Sequence, residues 1–455
     1  MPEPLRFSAF VMNTTSHILH GAWRDPAARQ TDFNSLEHWI DLAKRLEEAR
    51  FDFIFFADVV GLYDDYRGDW RKFVDTGLQI PSNDPLVIAS ALASHTDDLG
   101  IAITSSILQE HPFDFARKVS TLDHASKGRV AWNIVTSLSS NAWRNFGYDG
   151  ITAHDDRYAW ADEYVDVVYK LWEGSWDEDA LVQDKVSGIH ADFDRIHKIH
   201  HDGQRYRVEG PHLVAPSPQR TPVLFQAGSS PTGRRFAARN AEAQFIQSPT
   251  PDAARALIDD TRRLTEAAGR DRDDITFFQG LSFVVGSTEA EADRKARELD
   301  ELIDPNTIIA HSAGGLGTDL GFYDLDTPVG DIATEGTQST LMWLREAVPD
   351  REPTVRDLAE LRSRSGRIVG TPEQIADRLA EWRDAGVGGI NVINATIPGS
   401  YVEFADHVLP VLRRRGLAQD EYSPGTTRRK LTGRDRLPDT HPAARYRGAF
   451  AEVAV

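Results

Sequence analysis

The stretch SLEHWIDLAKRLEEARFDFIFFADV (residues 35–59) contains one repeat of the fold. Its first part, 35–50, places apolar residues at the three-to-four-residue spacing of a helix that buries one face. Its second part, 51–59, is apolar on both faces, which is typical of a parallel strand covered by helices. The stretch therefore predicts a helix followed by a buried parallel strand.

The same alternation continues along the whole chain. Seven further runs have the pattern of strands: 5–12, 100–106, 129–137, 222–228, 243–248, 275–286 and 388–396. Helical patterns lie among them at 84–95, 113–126, 156–172, 252–269, 371–386 and 401–416. Eight strands alternating with helices predict an α/β fold, the (β/α)8 TIM barrel. A doubly wound sheet is the weaker alternative, because no glycine-rich phosphate loop follows a strand.

Two insertions interrupt the alternation. The first, at about 174–221, follows the fourth helix of the barrel pattern (156–172), and the second, at about 287–370, follows the seventh strand (275–286). We therefore expect residues 1–416 to form a single barrel domain that carries both insertions. Residues 417–455 are expected to form a polar tail packed on its surface. The second insertion contains the glycine-rich segment HSAGGLGTDLG (311–321), and long insertions of this kind often act as lids.

Composition excludes several classes of protein. The chain has 455 residues with 51 basic and 70 acidic side chains, a net charge of −19, and no cysteine. Disulfides, thiolate metal sites and cysteine nucleophiles are therefore excluded. The negative charge disfavours nucleic acid and anionic lipid as partners. No apolar run approaches the roughly 18 residues of a membrane span, and no signal peptide is recognised, so we expect a cytoplasmic protein.

Polar residues cluster where the predicted strands end, which is where TIM barrels place their active sites. Most are neutral hydrogen-bonding groups, and Arg157 is the one strong cation among them. The segment QAGSSPTGRR (226–235) puts small residues where strand five turns into a helix, and a helix N-terminus of this kind can bind phosphate. The alternative is an ordinary helix cap, with Arg157 paired to a surface carboxylate. The spacing alone leaves both interpretations open.

Other chemistries have weaker support. Four histidines crowd the first insertion (His190, His197, His200 and His201), but no strand-end ligand joins them, so we predict no metal site. No GxSxG segment indicates a serine hydrolase. Paired glycosidase carboxylates are not found, since Asp58 is the only clear acid at a strand end.

Six segments in order resemble the flavin-dependent monooxygenases of the bacterial luciferase-like superfamily. Within it, the chain is most similar to the group of nitrilotriacetate, dibenzothiophene-sulfone and long-chain alkane monooxygenases. The segments are NTTSHILHGAWR (13–24), FDFIFFADVVGLYD (51–64), STLDHASKGRVAWNIVTS (120–137), NFGYDGITAHDDRYAWADEYVDVVYKLWEGSW (145–176), GPHLVAPSPQRTPVLFQAGSSPTGRRFAA (210–238) and LPDTHPAARYR (437–447).

The resemblance implies a barrel that binds reduced FMN, delivered by a separate NAD(P)H:FMN reductase. Dioxygen is then the co-substrate: one oxygen atom enters a small organic substrate and the other leaves as water. Homologous FMN contacts match Asp58, Thr104, His154, Tyr158 and Ser230. Ser137 and Arg157 are similarly placed, Ser229 is a neighbour, and Ala57 would pack beside the flavin ring. Relatives commonly assemble as homodimers or homotetramers.

The resemblance also indicates residues around the substrate, which we take as candidate catalytic residues. His17, Tyr63, Gln79 and His311 match the pocket of the alkane-oxidising members, and His20 and Phe56 match that of the sulfone-oxidising branch. We expect His311 to reach the substrate from the lid. Thr14 and Leu138 depart from the alkane-oxidising pattern, which has Cys and His at these positions.

These departures disfavour a long-chain alkane hydroxylase, which stays an alternative. With Arg157 as the one cation, we expect a neutral or weakly polar substrate, including sulfur- or nitrogen-bearing compounds. A deazaflavin-dependent oxidoreductase of the same superfamily is a second alternative, and a flavin-binding protein without catalysis is a third.

Overall fold

Eight parallel strands form a closed ring in the computed structural model, which describes residues 3–63, 66–316, 319–332, 344–345 and 348–451, with 313–316 described by backbone alone. Their bounds are β1 Arg6–Met12, β2 Phe53–Ala57, β3 Gly100–Ser106, β4 Val130–Val135, β5 Val223–Gln226, β6 Ala243–Ile246, β7 Thr276–Val285 and β8 Gly389–Ile393. Each strand pairs with the next, and β8 pairs with β1. The predicted (β/α)8 barrel is therefore confirmed, and each predicted strand run contains one barrel strand.

Helices surround the ring, and several begin where the sequence places a cap. Ser35 accepts a hydrogen bond from His38 N, Asp84 accepts one from Leu86 N, and Thr371 forms a capping box with Gln374. The helices are α1 Leu36–Glu48, α2 Arg71–Thr76, α3 Pro85–Ala93, α4 Pro112–Ala125, α5 Ser140–Asn145, α6 His154–Tyr169, α7 Pro231–Asn240, α8 Pro251–Ala267, α9 Glu289–Leu302, α10 Pro305–Leu316, α11 Val355–Arg364, α12 Pro372–Asp384, α13 Gly399–Glu403, α14 Leu409–Arg414 and α15 Thr427–Thr432. None of those in the described ranges is long and apolar enough to cross a membrane.

Aromatic side chains fill the barrel interior. Side chains alternate across each strand, so Phe53 and Phe55 of β2 face inward while Phe56 faces the surrounding helices. The Phe225 ring lies 5.2 Å from that of Phe53 and 5.3 Å from that of Phe278, measured between centroids. Because the interior is filled, open space for a ligand lies at the carboxyl-terminal mouth.

The second insertion lies over that mouth. Ile308 and Ile309 of α10 belong to an apolar cluster with Phe73 of α2 and Leu358 of α11. A further strand, Arg367–Gly370, pairs with the second half of β7. Residues 317–318, 333–343 and 346–347 of the segment predicted to form a lid lie outside the described residues. So do residues 64–65, the first of which ends the second resemblance segment.

The first insertion forms two small antiparallel ribbons. Their strands are Leu181–Asp184 with Ile189–Ala191, and His201–Asp202 with Arg207–Val208. Both ribbons lie away from the barrel's paired strands, since neither joins the main sheet. The insertion therefore adds to the periphery of the barrel rather than to its ring.

Residues beyond 417 close the amino-terminal end of the barrel. Arg428 of α15 is fully buried, and its Nε donates to Glu242 Oε1 at 2.7 Å. Its Nη2 donates to the carbonyls of Thr221 and Pro222, which precede β5. Glu242 directly precedes β6, so one guanidinium joins two neighbouring strands at their starting points.

We expect Arg428→Met to lower the free energy of unfolding by about 3–5 kcal/mol, since it leaves Glu242 buried without its cation. The adjacent Arg429 pairs with Asp435 on the surface, so Arg429→Met is a matched control that should cost less than about 1 kcal/mol. Urea denaturation followed by tryptophan fluorescence measures both. Equal losses in the two variants would contradict a structural role for the buried pair.

Candidate active site

A cleft of about 380 Å³ lies at the carboxyl-terminal ends of β2, β4 and β5. We call it the main cleft. Its lining residues include Asp58, Gly61, Tyr63, Thr136, Ser137, Leu138, His154, Tyr158, Gln226, Gly228, Ser229 and Ser230. The volume lies in the range of small-molecule and cofactor sites.

One end of the main cleft is formed by the N-terminus of α7. Ser230 caps this helix through its Oγ, which accepts from Gly233 N at 3.1 Å. His154 Nε2 lies 3.1 Å from the same oxygen. The helix dipole and unpaired backbone N–H groups favour an anion at such a point. The local geometry therefore favours the phosphate site, one of the two interpretations that the spacing left open.

Close backbone approach shapes this end of the cleft. A Cβ added to Gly228 would lie 2.5 Å from Tyr158 Oη and 2.9 Å from Gly233 Cα. Gln226 fixes the turn, because its Oε1 accepts from Gly228 N at 2.7 Å. Its Nε2 donates to Tyr158 Oη at 3.4 Å. A cradle that glycine alone fits lies beside polar donors and suits a phosphorylated group.

Asp58 is the acid of the main cleft. Burial raises its pKa to about 7, with the Asp84 carboxylate acting in the same direction and a hydrogen bond from the Gln109 side chain opposing it. Gln109 also accepts from Ser106 N, and Ser106 Oγ lies 2.8 Å from Ser137 Oγ. One hydrogen-bonded chain thus links the ends of three strands. Asp58 can act as a hydrogen-bond donor or acceptor near neutral pH.

Ser137 adopts a strained backbone conformation at the end of β4, with φ of +53°. Non-glycine residues held in the left-handed region cost free energy and cluster at functional sites. Gln79 is similar, with φ of +52°, and lies in the histidine cluster described next. Both strained residues are among those predicted from the resemblance.

Three histidines and Gln79 form a cluster beside the main cleft. His20 Nε2 lies 2.9 Å from His311 Nδ1, and Ser16 Oγ lies 2.8 Å from His20 Nδ1. Gln79 Nε2 donates to His17 O at 3.2 Å and lies 3.5 Å from His311 Nε2. The Tyr63 ring lies 5.5 Å from the His311 ring and also lines the main cleft. The cluster therefore meets the cleft through Tyr63.

The hydrogen bonds define a direction for the protons. Because Gln79 presents an N–H group to His311 Nε2, we assign the His311 proton to Nδ1, which donates to His20 Nε2. His20 then carries its proton on Nδ1 and donates to Ser16 Oγ. The chain of donors runs from His311 inward to Ser16.

All three rings are neutral at pH 7. Burial lowers the pKa of His17 to about 3, with His311 adding to the effect. Burial likewise lowers the pKa of His311 to about 4, and the charge of Arg362 adds to it. The pKa of His20 is also held well below its usual value, mainly by burial. The cluster can thus hold or move protons without carrying a fixed charge.

Seven of the predicted residues line the main cleft, and four form the histidine cluster. The first group is Asp58, Tyr63, Ser137, His154, Tyr158, Ser229 and Ser230, and the second is His17, His20, Gln79 and His311. They come from segments far apart in sequence. Closure of the barrel brings them to one mouth.

The other four predicted residues lie outside both groups. Phe56 faces the helices, with its ring 5.2 Å from Trp39, because strand alternation turns it away from the mouth. Thr104 is buried and accepts from Asn133 Nδ2, and Ala57 packs on the inner face of the barrel. Arg157 is buried with Nη1 donating to Thr152 O at 3.2 Å and does not line the main cleft.

Two residues of the site, Gln226 and Gln109, were not predicted from the sequence. Gln226 ends β5, so its position at a strand end was a usable signal. Gln109 lies in the turn after β3, and nothing in its local sequence indicates that it contacts Asp58.

The residues of the main cleft fit FMN. The glycine cradle and the α7 N-terminus suit its phosphate, and the Cβ of any residue at Gly61 would lie 2.3 Å from Ala142 N, so the wall there must stay flat. A metal centre has no such support: within the described ranges, no group of three or more potential ligand side chains could hold an ion.

Comparison with known proteins agrees with this geometry. A model of the family described as luciferase-like monooxygenase matches residues 7–389. The chain is 43% identical to dimethyl-sulfide monooxygenase of Hyphomicrobium sulfonivorans, over 99% of this chain and 95% of that protein. It is 40% identical to long-chain alkane monooxygenase of Geobacillus thermodenitrificans, over the full length of both. A solved structure of riboflavin lyase with modified FMN superimposes with a TM-score of 0.89 at 37% identity, covering 98% of this chain and all of that one.

We expect the protein to lose stability as pH falls, because the unfolded chain protonates His311 near pH 6.5 while the folded chain resists it to about pH 4. The unfolded state then binds more protons, so His311 should contribute a loss of about 2 kcal/mol between pH 7 and pH 5. His311→Gln should flatten the unfolding free energy, measured by urea denaturation against pH, by that amount. The exposed His190→Gln is the control. An unchanged slope in His311→Gln would show that His311 is not held neutral.

Proposed function

The chain belongs to the luciferase-like monooxygenase family and is a flavin-dependent monooxygenase, and on that premise we propose that it is the oxygen-inserting component of a two-component system. It takes reduced FMN from a separate NAD(P)H:FMN reductase in the cytoplasm. With dioxygen, it transfers one oxygen atom to a small organic substrate and releases the other as water.

One observation carries this proposal: a single mouth joins an anion-binding helix N-terminus to a cluster of buried neutral histidines. Ser230 marks the first end and His311 the second. Tyr63 belongs to both, since it lines the main cleft and contacts His311. A phosphorylated, flat cofactor spanning the cleft would present its ring to uncharged proton donors.

The residues of the main cleft bind and orient FMN. The phosphate would lie at the α7 N-terminus, with hydrogen bonds from Ser230 and His154. Gly228 lets the turn before α7 pack closely against Tyr158 beside that point. Asp58 and Ser137 present polar atoms at the strand ends where the edge of the ring would lie. When bound, the reduced flavin supplies the two electrons that activate dioxygen.

The histidine cluster and α10 control the access of water and protons to the site. Oxygen-activating sites must exclude bulk water to prevent side reactions. Ile308 and Ile309 of α10 provide an apolar cover, and the same helix carries His311. In the assigned arrangement, His311 holds its proton on Nδ1 and donates it to His20 Nε2. Because both rings are neutral, they place no charge beside the reacting atoms.

For the substrate, we propose a small sulfur-bearing organic compound. Support comes from the 43% identity to a dimethyl-sulfide monooxygenase over nearly the full length. The chain also departs from the alkane-oxidising pattern at two positions. Thr14 donates to Pro81 O at 2.7 Å, and Leu138 lines the main cleft as an exposed apolar side chain.

We expect sulfide oxidation to require FMN, a flavin reductase, NAD(P)H and dioxygen together. The assay follows product formation by mass spectrometry while each component is omitted in turn. Photoreduced FMN should replace the reductase, since the proposal needs only the reduced cofactor. Turnover under strict anaerobiosis, or without flavin, would contradict the proposal. Anaerobic turnover with a reduced deazaflavin would favour the alternative activity.

A further inference from the structure

A second cavity of about 240 Å³ lies on the opposite side of the barrel mouth. We call it the rear cavity. Its walls come from the residues after β6, the middle of β7 and the end of β8, together with α10 and α11. It shares no lining residue with the main cleft. His311 lines it while contacting Tyr63 of the main cleft. His311 therefore lies between the rear cavity and Tyr63 of the main cleft.

The rear cavity is lined mainly by polar residues. Arg362 of α11 is its cation, and hydroxyl groups of Ser282 and Ser365 lie in the lining. Among the residues the structure describes there, none is acidic. This is notable in a chain with 70 acidic and 51 basic side chains. An oxyanion is the ligand that such a lining attracts.

Some lining residues use their polar groups in hydrogen bonds within the cavity wall. Gln279 Nε2 donates to Ser248 O and Gly280 O, and its Oε1 accepts from Ser248 N. Ser312 Oγ donates to Ile308 O at 2.8 Å. These bonds fix the shape of the cavity. Arg362 is the strongest donor in the lining, with five N–H groups in a planar fork, so it can bind an oxyanion while keeping its contacts in the protein.

The positive charge of Arg362 acts on the histidine cluster, because it adds to the effect of burial in lowering the pKa of His311. A ligand held at Arg362 would thus lie close to His311. Its remaining atoms would then extend from Arg362 toward His311, which lines the same cavity. The expectation of a neutral substrate rested on Arg157 as the one cation near the site, and Arg362 removes that reason.

We propose that the rear cavity binds the carboxylate of the substrate through Arg362, so that the enzyme acts on small thioethers that carry a carboxylate at the other end. This inference rests on the proposed function for the oxidation itself. The binding step needs neither flavin nor oxygen. Arg362 is then a specificity-determining residue, and the thioether sulfur would lie beside His311.

The test compares 4-(methylthio)butanoate with 4-(methylthio)butan-1-ol, which differ in charge and share a chain. Isothermal titration calorimetry of the flavin-free protein should give at least tenfold tighter binding of the carboxylate. Arg362→Gln should lose at least tenfold for the carboxylate and leave alcohol binding unchanged. Arg362→Lys should retain part of the preference, because it keeps the charge and loses the planar fork.

Arg364→Gln is the matched control, since Arg364 lies on the same helix, pairs with Asp300 and does not line the cavity. It should bind both compounds as the parent protein does. Equal affinity of the parent protein for the carboxylate and the alcohol overturns the proposal. An equal loss of carboxylate affinity in Arg362→Gln and Arg364→Gln also overturns it. Binding that follows the expected pattern without aerobic turnover refutes the oxidation and leaves the carboxylate site standing.

Discussion

Closure of the parallel barrel around a core of phenylalanine rings is the constraint from which the site follows. Phe53, Phe55, Phe225 and Phe278 fill the interior, so no ligand can lie along the barrel axis. At the opposite end Arg428 and Glu242 join the starts of two strands. The carboxyl-terminal mouth is the end that remains for chemistry. Polar residues that follow strands around the ring gather there with residues of α10 and α11, because the ring closes.

That mouth is divided by neutral histidines. Burial makes protonation of His20 and His311 costly, and their hydrogen bonds to Ser16 and Gln79 satisfy the neutral rings. The main cleft and the rear cavity therefore differ in their charged and polar groups. The main cleft offers a helix N-terminus and a carboxyl group with a raised pKa, whereas the rear cavity offers a guanidinium. A cofactor and a substrate can therefore be bound by separate groups while they meet at His311.

The barrel and much of the site were predictable from sequence. Strand runs such as 51–59 are apolar on both faces, and helix caps such as Ser35 and Thr371 mark the boundaries, because local sequence determines both. Ser230 and His154 were predicted from their places at a strand end and a helix start and from the family resemblance. The orientation of Phe56 did not, since the matched segment does not tell which side of the pleat faces the mouth. Arg362 was not predictable either, because α11 meets the mouth only through the tertiary packing of a long insertion.

The proposed function requires a reduced flavin phosphate in the main cleft with its ring directed toward the histidine cluster. A crystal structure of the protein soaked with FMN would show whether it lies there. We expect the phosphate within hydrogen-bond distance of Ser230 and His154, and the ring between Asp58 and Tyr63. Density for the phosphate elsewhere, or a flavin ring directed away from His311, would contradict it.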